Sequence, residues 1–241
     1  MIKQWVIPDI HGCAQSLKQL IKVQIQPQKQ DELYFLGDYI DRGPDSKGVI
    51  DYLMSLKNDG YKTSYLKGNH EEYFLRALDH EPSRKQLIKF GRKNRFKSEW
   101  FAHGGDKFMQ SFGEIEMNKI PTLYSDWIKG LKNYILLKKH ILVHAGLNFK
   151  IEDPFEDIFD MLWTRDFDVD PLKIGKRLII HGHVPVHIDV IRQSIQNEDT
   201  LSINLDNGVY LKNKEGFGKL TAYELNSKML IIQDNLDQSR V

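Results

Sequence analysis

The chain has 241 residues, 41% hydrophobic and 28% charged, with a formal net charge of +1. Such a composition excludes a disordered or fibrous chain and gives length for one large domain with its own core; the near-neutral balance leaves any phosphate affinity to local clusters. One cysteine, Cys13, excludes an internal disulfide, and neither a signal-peptide pattern in MIKQWVIPDIHG nor a run of roughly 18 apolar residues is present, so a cytoplasmic location without a membrane span is expected.

The first apolar run, Trp5-Val6-Ile7, leads into the polar loop PDIHG. A helical pattern follows over Ala14–Lys22, with Leu17, Leu20 and Ile21 on one face. The run Leu33–Leu36 then opens into GDYIDRGP, a second helix is expected over Lys47–Lys57, and Thr63–Leu66 leads into KGNHE. The stretch from about Glu72 to Ile128 reads as mostly helical and breaks the strand rhythm. It is expected to be a cap inserted into a single domain spanning 1–241. Beyond it, YILLKKHILVH reads as a hairpin ending in HAGL, and Leu178–Ile180 leads into HGHVP. Further strands are expected near Leu201–Leu205, Leu220–Leu225 and Met229–Gln233. Strands alternating with helices predict an α/β core.

Every one of the strand-end loops carries metal-ligand residue types: Asp9 and His11, Asp38 and Asp41, Asn69 and His70, His144, then His181 and His183. Loops at the carboxyl ends of strands converge in an open α/β sheet, so residues distant in sequence can meet there. Carboxylate, imidazole and amide oxygen without thiolate suit hard or borderline divalent cations. Even six ligands drawn from these nine residues exceed what a single protein-closed site normally uses and favour a metal pair sharing one carboxylate.

The motifs DIHG, GDYIDRG, GNHE, HAGL and GH, in this order, resemble the phosphoprotein phosphatase branch of the metallophosphoesterases, over about three quarters of the chain. Secondary matches are WFAHGG, LWTRDF and INLDNGV, and the likeness is to bacterial and phage-type members. The resemblance implies a four-layer α/β/β/α sandwich with a helical cap insertion and a dinuclear site at its sheet edge. It implies that Asp9 and His11 bind the first metal, that Asp38 bridges both, and that Asn69, His144 and His183 complete the second. Arg42 and Arg165 would clamp phosphate. His70 would protonate the departing alkoxide, with Asp41 holding its imidazole, while a hydroxide bridging the metals attacks phosphorus. The donor set suits manganese, with iron or zinc as the other fits.

The function so implied is removal of phosphate from phosphoserine and phosphothreonine proteins, with phosphotyrosine a further substrate. The alternative is a symmetrical diadenosine tetraphosphate hydrolase, which resembles the chain across the same motifs and releases ADP. An inactive binding scaffold on the same fold would have lost ligands, and here every position is filled. No oligomeric state is implied, and a nucleic-acid partner would rest on the basic stretch Ser83–Ser98 alone, so none is expected. That stretch, with seven lysines and arginines and no acid, reads as a solvated helical face or as an attractant for anionic substrates. Cys13 lacks the arginine loop of a thiol phosphatase and is expected to be a packed residue.

Overall fold

A computed structural model describes residues 2–80, 94–113 and 116–237. Its strands are β1 (Gln4–Ile7), β2 (Glu32–Phe35), β3 (Lys62–Tyr65), β4 (Tyr134–Leu136), β5 (His140–Val143), β6 (Leu178–His181), β7 (Ser202–Asn204), β8 (Lys219–Glu224) and β9 (Met229–Asp234). They form a five-stranded sheet of order β3-β2-β1-β8-β9 and a four-stranded sheet of order β4-β5-β6-β7. Strands β1, β2 and β3 are parallel, as are β5, β6 and β7. The expected hairpin is present as antiparallel β4 and β5.

The layering follows from side chains pointing alternately to opposite faces of a strand. Trp5 and Ile7 enter one apolar cluster while Val6 enters a second; Leu33 and Phe35 go to the first, Tyr34 and Leu36 to the second. In the other sheet, Leu142 and Ile180 face that second cluster, whereas Ile141, Val143 and Ile179 face a third. The second cluster is therefore the seam between the sheets, and helices cover the outer faces. This is the four-layer sandwich.

The first outer layer holds α1 (Ala14–Gln19), α2 (Ser46–Asn58), α3 (Asn69–Asp79), α4 (Arg95–Ala102), α5 (Gly105–Ser111) and α6 (Thr122–Lys129). Phe74, Trp100, Phe108 and Ile128 from its later helices, with Met117 from the turn before α6, share one core with Leu17, Val49 and Leu53. Described residues of the stretch expected to be a cap thus contribute to the main core. The predicted Ala14–Lys22 helix is regular only to Gln19 and continues as a wider π-type turn over Leu20–Ile25. That turn brings Ile25 onto the buried face already formed by Leu20 and Ile21. On the other side α7 (Ile158–Trp163) places Met161 in the third cluster, and α8 (Ile188–Gln196) adds Ile188 and Ile191 to the seam.

Register sets the site. Ile7, Phe35 and Tyr65 lie side by side, so the loops after β1, β2 and β3 leave the sheet level with one another. Val143, His181 and Asn204 end their strands at the corresponding edge of the second sheet.

Candidate metal and phosphate site

The loops that leave this edge are held in unusual backbone conformations. His11, Asp38, Asp41, Arg42 and His183 all have positive φ, from 44° to 76°. Among the described residues only three other non-glycine positions share that feature. Left-handed backbone costs energy for residues with a Cβ, and it persists where the surroundings over-determine it. Here the surroundings are hydrogen bonds. The amides of Ile10 and His11 donate to the Asp38 carbonyl at 3.0 and 2.8 Å. The Glu71 carboxylate accepts from the amides of Gly68, Asp38 and Tyr39 at 2.9, 2.9 and 2.8 Å, which ties the β2 loop to the start of α3.

Asp38 is the centre of the arrangement. One of its oxygens lies 3.5 Å from His11 Nε2 and the other 3.5 Å from His144 Nε2. Asp38 belongs to both clusters of potential metal ligands found among the described residues, His11–Asp38–His70 and Asp38–His144–His183. Asn69 Oδ1 is 3.0 Å from His144 Nε2 and 3.0 Å from His183 Nδ1, and those two nitrogens are 3.2 Å apart. The Nδ1 atoms of His11 and His144 lie 2.9 and 3.1 Å from the carbonyls of Ile40 and Leu36. A carbonyl can only accept, so each Nδ1 carries the proton and each Nε2 presents its lone pair to Asp38.

Asp9 sits differently. Both its oxygens accept from the His183 amide at 3.1 Å, and it belongs to neither cluster. Burial raises its carboxyl well above the usual range, and the neighbouring Asp206 and Asp38 add repulsion. His181, weighed as a ligand, turns toward its neighbour's carbonyl and Phe167 and lies outside both clusters.

His70 and Asp41 form a pair. His70 Nδ1 is 2.6 Å from Asp41 Oδ2, which also accepts from Trp100 Nε1 at 2.8 Å. Burial, with Arg42 and His103, pushes the His70 imidazole down to about 4, and Asp38 opposes that shift. Burial raises the Asp41 carboxyl, against the pull of Trp100 and Arg42. Arg42 and Arg165 line one cavity of about 250 Å³ together with Asp38, Asn69 and His183. Arg42 is held by Tyr210, whose hydroxyl accepts from Nη1 and whose ring lies 4.5 Å from the guanidinium carbon.

Three of these supports, Trp100, Tyr210 and Glu71, carry no predicted role. Glu71 and Trp100 stand inside the quoted GNHE and WFAHGG motifs. Tyr210 lies one residue beyond INLDNGV, and its contact with Arg42 spans 168 positions. Asp206, in that same motif, is fully buried with Oδ2 unpartnered, and its carboxyl is raised to about 6 by burial. Cys13 is buried, its thiol pushed up by that burial, as expected for a packed residue.

The donor set fits a pair of cations. Burial favours the neutral form of each group, raising Asp38 to about 7 and lowering His183 to about 4; a neutral imidazole keeps the lone pair that a cation needs, and a cation would restore charge to the carboxylate. Glycines clear the space. A Cβ at Gly182 would stand 2.0 Å from Asp9 Oδ2, and one at Gly68 would stand 2.1 Å from Asp38 Oδ1.

The sequence profile of the calcineurin-like phosphoesterases matches residues 2–211. The chain belongs to that family. A serine/threonine-protein phosphatase 1 of Salmonella typhimurium is 37% identical over 170 residues, covering 67% of this phosphoesterase and 68% of that protein. A symmetrical bis(5'-nucleosyl)-tetraphosphatase of Buchnera aphidicola subsp. Schizaphis graminum is 42% identical over 151 residues, covering 61% of this chain and 45% of that protein. The match thus spans less than half the length of that tetraphosphatase. Among solved structures, a putative diadenosine tetraphosphatase superposes with a TM-score of 0.57 at 21% identity, covering 95% of this chain and 92% of its own. A yeast serine/threonine phosphatase with similarity to human PP5 gives 0.59 at 14% identity, covering 100% and 82%. These likenesses show the shared fold. The phosphoesterase has no described helix long and apolar enough to cross a membrane.

Proposed function

We propose that the chain is a metal-dependent phosphomonoesterase acting on phosphoserine and phosphothreonine proteins. The observation that carries this reading is the position of Asp38, shared by two ligand clusters, in a pocket also lined by Arg42 and Arg165. Two divalent cations, manganese by preference with iron or zinc as other fits, would supply a water of lowered pKa and neutralise charge on the phosphoryl oxygens.

Each residue then has separate work. Asp9, His11 and Asp38 would hold the first cation, and Asp38, Asn69, His144 and His183 the second. Arg42 and Arg165 would fix the phosphoryl oxygens through their planar forks, Arg42 pre-aligned by Tyr210. The dianionic substrate would bring negative charge beside His70 and favour its imidazolium, which then gives its proton to the leaving oxygen. Asp41 fixes the ring at Nδ1, and Trp100 fixes Asp41.

The second reading is symmetrical hydrolysis of a dinucleoside tetraphosphate, supported by the names of the Buchnera relatives. A panel with manganese separates the two: phosphate release from phosphoserine peptides against ADP release from diadenosine tetraphosphate. The proposal expects the peptides to have the larger kcat/KM. A strong preference for the dinucleotide would establish the second reading in its place.

A further inference from the structure

The catalytic pocket, at about 250 Å³, has room for a phosphoryl group and little of what carries it. Beside it lies a second cavity of about 490 Å³. Arg42 and Tyr210 line both, so the guanidinium clamped by that tyrosine is the partition between them. Gly43, Pro44, Lys212, Asn213 and Lys214 are also in the lining of the larger cavity.

Its electrostatics favour anions. The lining holds Arg42, Lys212 and Lys214 against one carboxylate, Asp237. That carboxylate is already committed: one oxygen accepts from the Gln15 amide at 2.8 Å, the other from the Ser16 amide and hydroxyl at 3.0 and 2.5 Å. It therefore presents little acceptor capacity to the cavity. Both lysines are exposed, with the Lys214 ammonium 3.8 Å from the Phe217 ring centroid. Asn235, also in the lining, donates to the Val209 carbonyl at 2.5 Å.

We infer that this cavity is a subsite for a second anionic group carried by the same substrate molecule, held by Lys212 and Lys214 while the scissile phosphoryl group occupies the catalytic pocket. The inference rests on the phosphomonoesterase reading for the identity of the first pocket. A further phosphate of a nucleoside polyphosphate and an acidic side chain flanking a phosphoserine share this chemistry, and the test tells them apart.

Two substrate pairs are compared on the manganese-loaded full chain, with p-nitrophenyl phosphate as the reference. One pair is a phosphoserine peptide with flanking aspartates and its asparagine counterpart; the other is diadenosine tetraphosphate and AMP. Wild type is expected to show a KM advantage of roughly 5-fold for the more anionic member of one pair, from two exposed charges. The K212A/K214A double variant is expected to lose that advantage relative to the reference ester, and added salt to weaken it in wild type. The pair that shows the lysine-dependent advantage identifies the source of the second anion. An advantage that survives the double substitution, or none in either pair, overturns the subsite. Failure to hydrolyse any of the four monoesters would contradict the phosphomonoesterase reading instead, whether or not the phosphoanhydride of diadenosine tetraphosphate is cleaved. Calorimetric binding of the same ligands then decides the subsite: lysine-dependent binding supports it and lysine-independent binding overturns it.

Discussion

Asp9 and Asp38 are both buried aspartates following a strand, yet their surroundings place them differently. Asp38 stands between two imidazoles whose Nδ1 protons are fixed by backbone carbonyls, so both lone pairs converge on it. Asp9 is oriented by the His183 amide and fits only because residue 182 has no side chain. G182A is therefore expected to displace the Asp9 carboxylate while leaving the sandwich folded. The expected outcome is loss of about one bound metal per chain by elemental analysis, with phosphatase activity down roughly 10²-fold, the scale of removing one charge-stabilising group. Unchanged metal content and activity would show that Asp9 is not a ligand.

At the scale of elements, the site is an agreement between strand ends and one helix start. Apolar runs that break into loops of carboxylate and imidazole were legible in the sequence because both signals are local. So the strands, the α/β class and the convergence of the ligand loops could be read from it. The supports could not. Trp100 meets Asp41 across 59 positions and Tyr210 meets Arg42 across 168, contacts that only the packed core specifies. Nor does any local signal say that Phe74, Trp100 and Phe108 share one core with Leu17, Val49 and Leu53. The basic stretch Ser83–Ser98 falls within the described residues only at Asn94–Ser98. Glu71 makes the link between elements testable. Its two oxygens serve the amides of Gly68, Asp38 and Tyr39. E71Q would set an amide donor against one side of that set and is expected to cost roughly 2–3 kcal/mol, read from the denaturant midpoint. No change in midpoint would mean the β2 loop is held by other contacts.

For the whole molecule, the buried charges make stability depend on metal and pH together. Burial raises Asp38 and Glu71 to about 7 and Asp206 to about 6. The metal-free fold therefore holds protons that the unfolded chain releases, and these groups' contribution is lost as pH rises from about 4 through 6–7. His70, His181 and His183, lowered by burial to about 4, act in the opposite sense. Their contribution is lost as pH falls from about 6.5 to 4. The two sets offset each other between these limits. Cations require ionised carboxylates and neutral imidazoles, so binding tightens as pH rises through about 7. The melting temperature gap between manganese-loaded and chelator-treated protein is expected to widen from about pH 5.5 to 8, each site adding about 2.7 kcal/mol at a 100-fold excess over its Kd. A gap independent of pH would contradict this coupling.

Whether Asp38 joins two cations in one phosphoesterase site is measured directly by anomalous scattering from manganese-loaded crystals. Two peaks are expected, roughly 3.5–4 Å apart, with Asp38 between them, one toward His11 and the other toward Asn69, His144 and His183. A single peak, or two peaks that do not share Asp38, would contradict it.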